Sequence, residues 1–374
     1  MSNFTNVSLL LSHTNFTRSH QGKDFDHFSG TIGLYKVLFA LFDALGIIGN
    51  ILVIFTIFLN PNMRSTIYYL LANLAFSDLL FAILAPFHMS MILDRYNWKY
   101  GAVFCRVYYF VFRSFYAFSI MNLILITVER FLATRYPLSF RGKPKRTLAL
   151  ILGTWVLSFV FSSPFLSVMT YKELSPEYSI CFQEWPGKLE SRAYYTFVYV
   201  ILYFIPLALM AFMYALISMT LRKQPLVFLA DKNDTQRKQF KARKRMSLLV
   251  IVIVVAFFVC WSPWNIIEFV EHARDTPWKN PKILPTVKNY AVLATILSTT
   301  VNPFLFSFMS FEFRTGFRFV FVRISSWYRL RRGSGDESPT GSSQRTGNMD
   351  LSRRSGKRNS NGGEGNKTEA RALV

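Results

Sequence analysis

The chain has 374 residues, of which 51% are hydrophobic and 17% charged, and its formal net charge is +22. A typical soluble domain is about a quarter charged, so this charged fraction is low. The apolar residues are concentrated in runs, and residues 193–221, 246–267 and 289–310 contain no Asp, Glu, Lys or Arg. Because about 20 mainly apolar residues form a helix that crosses a bilayer, these runs exclude a soluble enzyme as the first interpretation. They also exclude disorder, except at the two ends of the chain.

Seven stretches are long and apolar enough to cross a membrane as helices. In chain order they cover residues 37–59, 67–93, 102–133, 147–170, 193–221, 246–267 and 289–310. They predict an all-α membrane protein whose seven-transmembrane helix bundle occupies residues 34–310. After it we expect an amphipathic interfacial helix over 311–328 and a disordered cytoplasmic tail over 329–374. The interfacial helix is indicated by six apolar residues at helical spacing: Phe313, Phe317, Val320, Phe321, Ile324 and Tyr328.

The excess of basic residues lies on one side of the predicted membrane. If successive loops alternate between the two sides, the side opposite the N-terminus holds 29 Lys and Arg and 9 Asp and Glu, which is +20 of the total. Short loops rich in Lys and Arg stay cytoplasmic, which puts the N-terminus outside and the C-terminus inside. The charge therefore indicates membrane topology and a lipid surface, and it does not indicate nucleic acid. We expect residues 1–33 to be extracellular and glycosylated at the sequons of Asn3, Asn6 and Asn15.

Three cysteines occur, and this topology puts two of them outside the cell. Cys105 lies at the outer start of the third stretch and Cys181 in the loop between the fourth and fifth. Thiols in an oxidising compartment pair by default, so we predict a disulfide that holds this loop across the mouth of the bundle. Cys260 is predicted to be a small buried hydrophobic residue.

Five polar residues lie at similar depths within the predicted helices: Asn50, Asp78, Ser119, Ser298 and Asn302. Polar groups inside a membrane are costly and usually face the interior of the bundle. One carboxylate with several neutral oxygen ligands suits a sodium ion, with Asp78 as the charged ligand. A neutral, protonated Asp78 held by hydrogen bonds explains the same pattern, and the sequence leaves both interpretations open. No other cofactor is expected.

Several motifs follow one another in order, each on its own helix or loop. They are Asn50; Leu74-Ala75-Phe76-Ser77-Asp78; Trp98-Lys99-Tyr100-Gly101 before Cys105; Glu129-Arg130-Phe131; Trp155 and Pro164; Pro206 and Tyr214; Phe257 and Cys260-Trp261-Ser262-Pro263; and Asn302-Pro303. Over about residues 34–328 this order resembles the rhodopsin-like (class A) family of G-protein-coupled receptors, and neuropeptide receptors most of all. The resemblance implies a plasma-membrane receptor with an outer ligand pocket and an inner surface for heterotrimeric G proteins.

The resemblance also implies roles for individual residues. Arg130 would contact the G protein, Trp261 would respond to the ligand, and Tyr214 would swing toward Arg130 on activation. Phe257, and the kinks at Pro263 and Pro303, belong to the same activation machinery. Receptor kinases and arrestin are expected to act on the tail, by analogy with the family.

Two departures from the family pattern concern activation. The usual Tyr of the last kink motif is Phe306 here, and the inner end of the sixth helix reads Lys241-Ala242-Arg243-Lys244-Arg245, without an acid. We therefore expect Arg130 to rest on Glu129 alone and ligand-free signalling to be measurable.

The ligand class follows by elimination. Opsins carry a Lys in the middle of the seventh helix and aminergic receptors an Asp in the outer third helix, and residues 293–297 and 108–113 contain neither. The candidate ligand-binding residues are Asp43, Phe112, Arg113, Glu268, Glu271 and Lys288. Aromatic and charged groups at several depths favour a peptide, with residues 170–185 as a hairpin lid. The alternatives are that these charges pair with one another, or that Arg113 binds a lipid or a small organic anion.

Other protein classes fit less well. A transporter would show internal repeats and paired broken helices, and the sequence shows neither. An enzyme would need a nucleophile and base, or a metal cluster, at matching depth. We therefore predict a receptor without enzymatic activity.

Overall fold

The computed structural model describes residues 4–136, 143–223, 234–273 and 284–333. Its helices are α1 (Phe4–Leu59), α2 (Thr66–Leu93), α3 (Gly101–Arg135), α4 (Pro144–Ser162), α5 (Phe165–Val168), α6 (Lys188–Tyr199), α7 (Ile205–Lys223), α8 (Asp234–Ala273), α9 (Leu284–Met309) and α10 (Phe311–Gly333). Two strands, β1 (Met169–Ser175) and β2 (Tyr178–Gln183), form an antiparallel hairpin.

Seven helical segments are long and apolar enough to cross a membrane, which confirms the predicted seven-helix architecture. These spans are Ile32–Leu59, Thr66–Leu93, Gly101–Arg135, Pro144–Val168, Lys188–Arg222, Phe240–Ala273 and Thr286–Met309. The third span lies at the centre of the bundle. In its most apolar stretch 67% of the residues are buried, compared with 22% in the corresponding stretch of the fourth span. A side chain on the third span can therefore touch several other spans at once.

The fourth and fifth spans differ in detail from the predicted stretches. Helix α4 ends at Ser162, and Met169 and Thr170 belong to β1 and not to the predicted helix. In the fifth span, a π-helical turn (Val200–Phe204) separates α6 from α7. Pro206 follows this turn and has no backbone N–H, so the helix cannot make its usual hydrogen bond there, and a wide turn accommodates the defect.

The first span packs closely against the seventh at the Asn302-Pro303 motif. A Cβ atom added to Gly49 would lie 2.8 Å from the side chain of Pro303, so a larger residue at this position would push the two helices apart. The glycine thereby fixes the seventh span next to the first, at the depth where the polar residues of both helices meet.

Helix α10 begins directly after the seventh span. Phe313 and Val320 on this helix are buried, and the ring of Phe313 stacks on that of Phe306 with centroids 4.9 Å apart. The chain forms two units, residues 1–326 and 327–374, and only 327–333 of the second unit are described, as the last part of α10. The rest of the predicted disordered tail, residues 334–374, lies outside the described residues. So does Asn3, while the side chains of Asn6 and Asn15 are not described.

Candidate functional site

A disulfide ties the hairpin to the third span. Cys105 and Cys181 are bonded, with Cα atoms 5.9 Å apart, as predicted from their shared compartment. The hairpin is also fixed to the loop between the second and third spans, because the backbone N–H of Trp98 donates to the carbonyl of Ser179 at 2.8 Å. These contacts hold the β1–β2 hairpin over one end of the bundle, which we call the hairpin end. The opposite end of the third span carries Arg130, and we call it the Arg130 end.

A cavity of about 390 Å³ lies beneath the hairpin, between the second, third, sixth and seventh spans. Its wall is rich in aromatic side chains: Tyr96, Tyr108, Tyr109, Phe112, Phe182 and Trp264. Its charged members are Arg113, Glu268 and Lys288. The cavity is thus mostly apolar with a few ionic groups, which is the usual composition of a ligand site.

Arg113 and Glu268 form an ion pair in the wall of this cavity. The Arg113 Nη2 atom donates to Glu268 Oε2 at 2.6 Å, and the two side chains are only 13% and 6% exposed. The guanidinium also lies over the rings of Phe165 and Trp264, at 5.1 and 5.8 Å from their centroids. An arginine enclosed by aromatic faces and one carboxylate is held in a single position.

The six predicted ligand-binding residues separate into two groups. Phe112, Arg113, Glu268 and Lys288 line the cavity. Two others, Glu271 and Asp43, do not.

Each of these two has a different environment. Glu271 pairs with Lys288, so both sixth-span acids have a protein partner, as the alternative interpretation of the sequence expected. Asp43 is buried in a part of the first span that packs on the seventh, where the Thr300 hydroxyl donates to the carbonyl of Phe42 at 2.7 Å. Asp43 is not among the residues that line this cavity, and its contact with a ligand stays a prediction.

The loop between the second and third spans contributes a contact that the sequence did not reveal. Arg95 and Tyr96 have φ angles of 53° and 65°, which are rare for residues other than glycine. This conformation turns Tyr96 into the cavity wall, where its hydroxyl donates to Asn289 Oδ1 at 3.0 Å. Burial raises the pKa of Tyr96, so the phenol stays protonated and remains a donor. Nothing in the sequence indicates that the backbone of Tyr96 adopts a left-handed conformation.

Replacing Tyr96 with Phe should lower the apparent melting temperature of the purified protein by about 2–4 °C. The variant removes the hydrogen bond to Asn289 and leaves that buried oxygen without its donor, a loss of about 1 kcal/mol. The control is Tyr171→Phe, because the Tyr171 hydroxyl bonds only the exposed Glu173 among the contacts that the structure describes for it. Equal melting temperatures for the two variants would show that the Tyr96–Asn289 bond does not stabilise the site.

The predicted polar core is assembled around the seventh span. Asn302 Nδ2 donates to Asp78 Oδ2 at 2.8 Å, and Asn50 Nδ2 donates to the carbonyl of Thr299 at 3.1 Å. Ser119 is buried in the third span. The Oδ1 atom of Asn50 is buried without a hydrogen-bond partner among the described residues. Asp78 thus accepts a hydrogen bond from the seventh span, which either a carboxylate or a protonated acid can do, so both interpretations of Asp78 stay open.

Trp261 lies between the cavity and the polar core. Its indole N–H donates to the Ser298 hydroxyl at 3.2 Å, and its ring contacts Tyr116 and Phe257 with centroids 4.6 and 5.7 Å apart. Pro263 lies two residues further along the same helix. A large ring beside a proline and bonded to the seventh span is well positioned to couple movements of the two helices.

At the Arg130 end, Arg130 bonds to the neighbouring acid. Its Nη2 atom donates to Glu129 Oε1 at 2.6 Å, and both side chains are buried. Tyr214 shares a hydrogen bond of 3.0 Å with the hydroxyl of Thr127, one turn away from Arg130 on the third span. Phe306 packs on Phe313, so a ring stack occupies the position where the family pattern has a phenol.

Comparisons with known proteins agree with this arrangement. The family profile described as "7 transmembrane receptor (rhodopsin family)" matches residues 49–306. The human neuromedin-K receptor is 28% identical over 309 residues, which cover 81% of this chain and 65% of that receptor. The mouse substance-P receptor is 26% identical over 317 residues, or 82% of this chain and 75% of its own length. The chain thus spans just under two thirds of the human neuromedin-K receptor. The match to the family profile extends over more than half of the chain, from Gly49 to Phe306, and the chain belongs to the rhodopsin family of seven-transmembrane receptors.

Proposed function

We propose that this protein is a plasma-membrane receptor that binds an extracellular peptide and activates heterotrimeric G proteins. The observation that carries the proposal is the aromatic cavity beneath a disulfide-tied hairpin, with Trp261 between the cavity and the Arg130 end. The relatives named as neuromedin-K and substance-P receptors support a peptide as the ligand. In this proposal the hairpin end is extracellular and the Arg130 end is cytoplasmic, as the distribution of basic residues favours.

The ionic groups of the cavity favour a peptide over a small organic anion or a lipid. Arg113 already has a buried carboxylate partner, Glu268, and Lys288 is paired with Glu271. An anionic ligand would have to displace Glu268 and leave its charge buried without a partner, which costs several kcal/mol. A peptide can fill the cavity with uncharged side chains and place its polar groups against the hairpin. Both ion pairs, Arg113–Glu268 and Lys288–Glu271, then stay intact.

The proposal includes a bound ion, cytoplasmic partners, glycosylation and a lipid contact. A sodium ion would use Asp78 as its charged ligand, with neutral oxygens from Ser119, Ser298, Asn302 and Asn50, whose Oδ1 has no hydrogen-bond partner in the part of the chain that the structure describes. Receptor kinases and arrestin would act at the cytoplasmic end. Glycosylation of Asn3, Asn6 and Asn15 would follow from an extracellular N-terminus, and α10 would lie along the membrane lipid.

The experiment that tests the proposal measures G-protein dissociation in cells that display the intact chain, against a peptide library and a library of lipids and organic anions. We expect at least one peptide to give a saturable response and the lipid and anion set to give none. A response to an organic anion that is lost in Arg113→Gln would replace the peptide by that alternative. Silence toward both libraries from a protein shown to reach the surface would contradict the receptor function itself.

A further inference from the structure

A second, much smaller cavity lies between the third, fourth, fifth and sixth spans. Its volume is about 20 Å³, and its wall includes Tyr116, Tyr199 and Asn265, each from a different span. Arg113 belongs to the walls of both cavities, so the small cavity adjoins the ligand cavity on the side of the fifth span. A space of this size cannot admit a side chain of a ligand, but a volume of about 10–15 Å³ or more is enough for one water molecule.

Three polar atoms on this wall lack a hydrogen-bond partner among the described residues. They are the hydroxyl oxygens of Tyr116 and Tyr199 and the Oδ1 atom of Asn265. The three side chains are 4%, 3% and 3% exposed. The Asn265 amide lies close enough to the Tyr116 hydroxyl to interact with it, but without the geometry of a hydrogen bond. A buried polar group without a partner costs about 1–3 kcal/mol, so three together call for a common partner.

The orientation of Asn265 is fixed by its other contact. Its Nδ2 atom donates to the carbonyl of Trp261 at 3.0 Å. Only the nitrogen of the amide can donate to a carbonyl, so the oxygen must be the atom left without a partner. Asn265 Oδ1 therefore needs a donor, and each of the two phenols can supply either a donor or an acceptor.

We propose that one structural water molecule binds in this cavity and bridges Tyr116, Tyr199 and Asn265. The water donates to Asn265 Oδ1 and accepts from the two phenol hydroxyls, which satisfies all three atoms. A buried water commonly makes about three such bonds to groups that would otherwise be unsatisfied. The bridge ties the third and fifth spans to the sixth beside Trp261 and Pro263, and it makes the water part of the contact between the ligand cavity and the kink.

A double-mutant cycle on the purified, ligand-free protein tests the shared water. Tyr116→Phe and Tyr199→Phe each keep the ring and remove the hydroxyl, and each should lower the apparent melting temperature by about 2–4 °C. The double variant should lose little more than one single variant, because removing the first hydroxyl already weakens the hold on the same water. This measurement needs neither a ligand nor a G protein, so its outcome is independent of the proposed function.

The control for additivity is Tyr195→Phe. The Tyr195 ring also lines the small cavity, but its hydroxyl donates directly to Gln183 Oε1 at 2.6 Å. Combined with Tyr116→Phe, this variant should show simple addition of the two losses. The proposal is overturned if Tyr116→Phe and Tyr199→Phe leave the melting temperature unchanged or raise it, as expected for phenols that bind nothing. The proposal is also overturned if the losses of melting temperature in Tyr116→Phe and Tyr199→Phe add fully in the double variant.

An experimental density map gives the direct test. A map of the ligand-free protein that resolves ordered water should contain a peak within hydrogen-bond distance of the Tyr116 and Tyr199 hydroxyls and of Asn265 Oδ1. Such a map without a peak, in which Tyr116 bonds Asn265 directly, would replace the water by a side-chain contact and overturn the proposal.

Discussion

Replacing Arg113 with Ala should lower the apparent melting temperature of the purified protein by on the order of 10 °C. The change leaves the carboxylate of Glu268 buried without its partner, and breaking a buried ion pair costs about 3–5 kcal/mol. The loss of the cation–π contacts with Phe165 and Trp264 adds to this cost. The measurement is thermal unfolding in detergent, and the matched control is Lys99→Ala.

The control breaks an ion pair of similar length that is exposed. Lys99 Nζ lies 2.7 Å from Asp94 Oδ2, and the side chains are 65% and 41% exposed. Solvent-exposed pairs contribute about 0–1 kcal/mol, so Lys99→Ala should change the melting temperature by no more than about 4 °C. Equal effects of Arg113→Ala and Lys99→Ala would contradict the buried pair as a stabilising contact of the ligand cavity.

Exchange of the two charges separates the pair from its surroundings. The double variant Arg113→Glu, Glu268→Arg keeps one acid and one base at these positions and should regain more than half of the stability lost in Arg113→Glu alone. The recovery should be incomplete, because the aromatic faces around residue 113 would then enclose a carboxylate. If the double variant is less stable than either single variant, the two side chains do not interact as the structure describes.

Replacing Arg130 with Ala should abolish G-protein dissociation, with or without ligand, while ligand binding stays within about threefold of the unchanged protein. Arg130 lies at the end of the third span remote from the cavity, so its removal leaves the cavity wall intact. Binding of the active peptide and G-protein dissociation are measured on the same cells. Preserved dissociation in Arg130→Ala would show that the G protein contacts the receptor elsewhere.

Glu129→Gln should have the opposite effect and raise ligand-free dissociation by on the order of tenfold. Glu129 is the acid that pairs with Arg130 among the described residues, and the first residues of the sixth span, Lys241 to Arg245, are all basic apart from Ala242. A tenfold change corresponds to about 1.4 kcal/mol, which is within the range of a charge-assisted hydrogen bond. The control is Glu312→Gln, an acid of α10 that bonds Ser310 and not Arg130. A basal signal unchanged by Glu129→Gln would mean that this pair does not restrain the receptor.

The helices could be predicted from the sequence because their signal is local. Runs such as 246–267 lack charged residues because polar groups in a membrane are costly. Each spanning segment must avoid this cost within its own sequence, so the run can be recognised locally. The disulfide was also predictable, since the predicted topology places Cys105 and Cys181 on the same side of the membrane and Cys260 within a span. The end of α4 before Pro164 and the π-helical turn before Pro206 were missed, although both prolines are visible. A proline marks where a hydrogen bond is lost, but it does not specify whether the helix ends, kinks or widens.

The cavity was only partly predictable, since its contacts join residues far apart in the chain. Arg113 and Glu268 were each identified as charged groups in apolar helices, but their pairing depends on how the third and sixth spans pack. Asp43 is likewise an acid inside a span, but it is not among the residues that line the cavity. The role of Tyr96 depends on its left-handed backbone conformation, which could not be predicted because the position holds neither Gly nor Asn.

The central claim is that a peptide in the cavity beneath the hairpin causes the Arg130 end to activate a G protein. The most direct measurement compares peptide-stimulated G-protein dissociation for Val292→Trp and Val287→Trp, two valines of the seventh span. Val292 is 3% exposed and lines the cavity, while Val287 is 43% exposed and lies outside its wall. We predict that Val292→Trp, at normal surface expression, loses at least tenfold in peptide potency and that Val287→Trp keeps it. Full potency of the peptide on Val292→Trp would show that it acts from another site and would contradict the account.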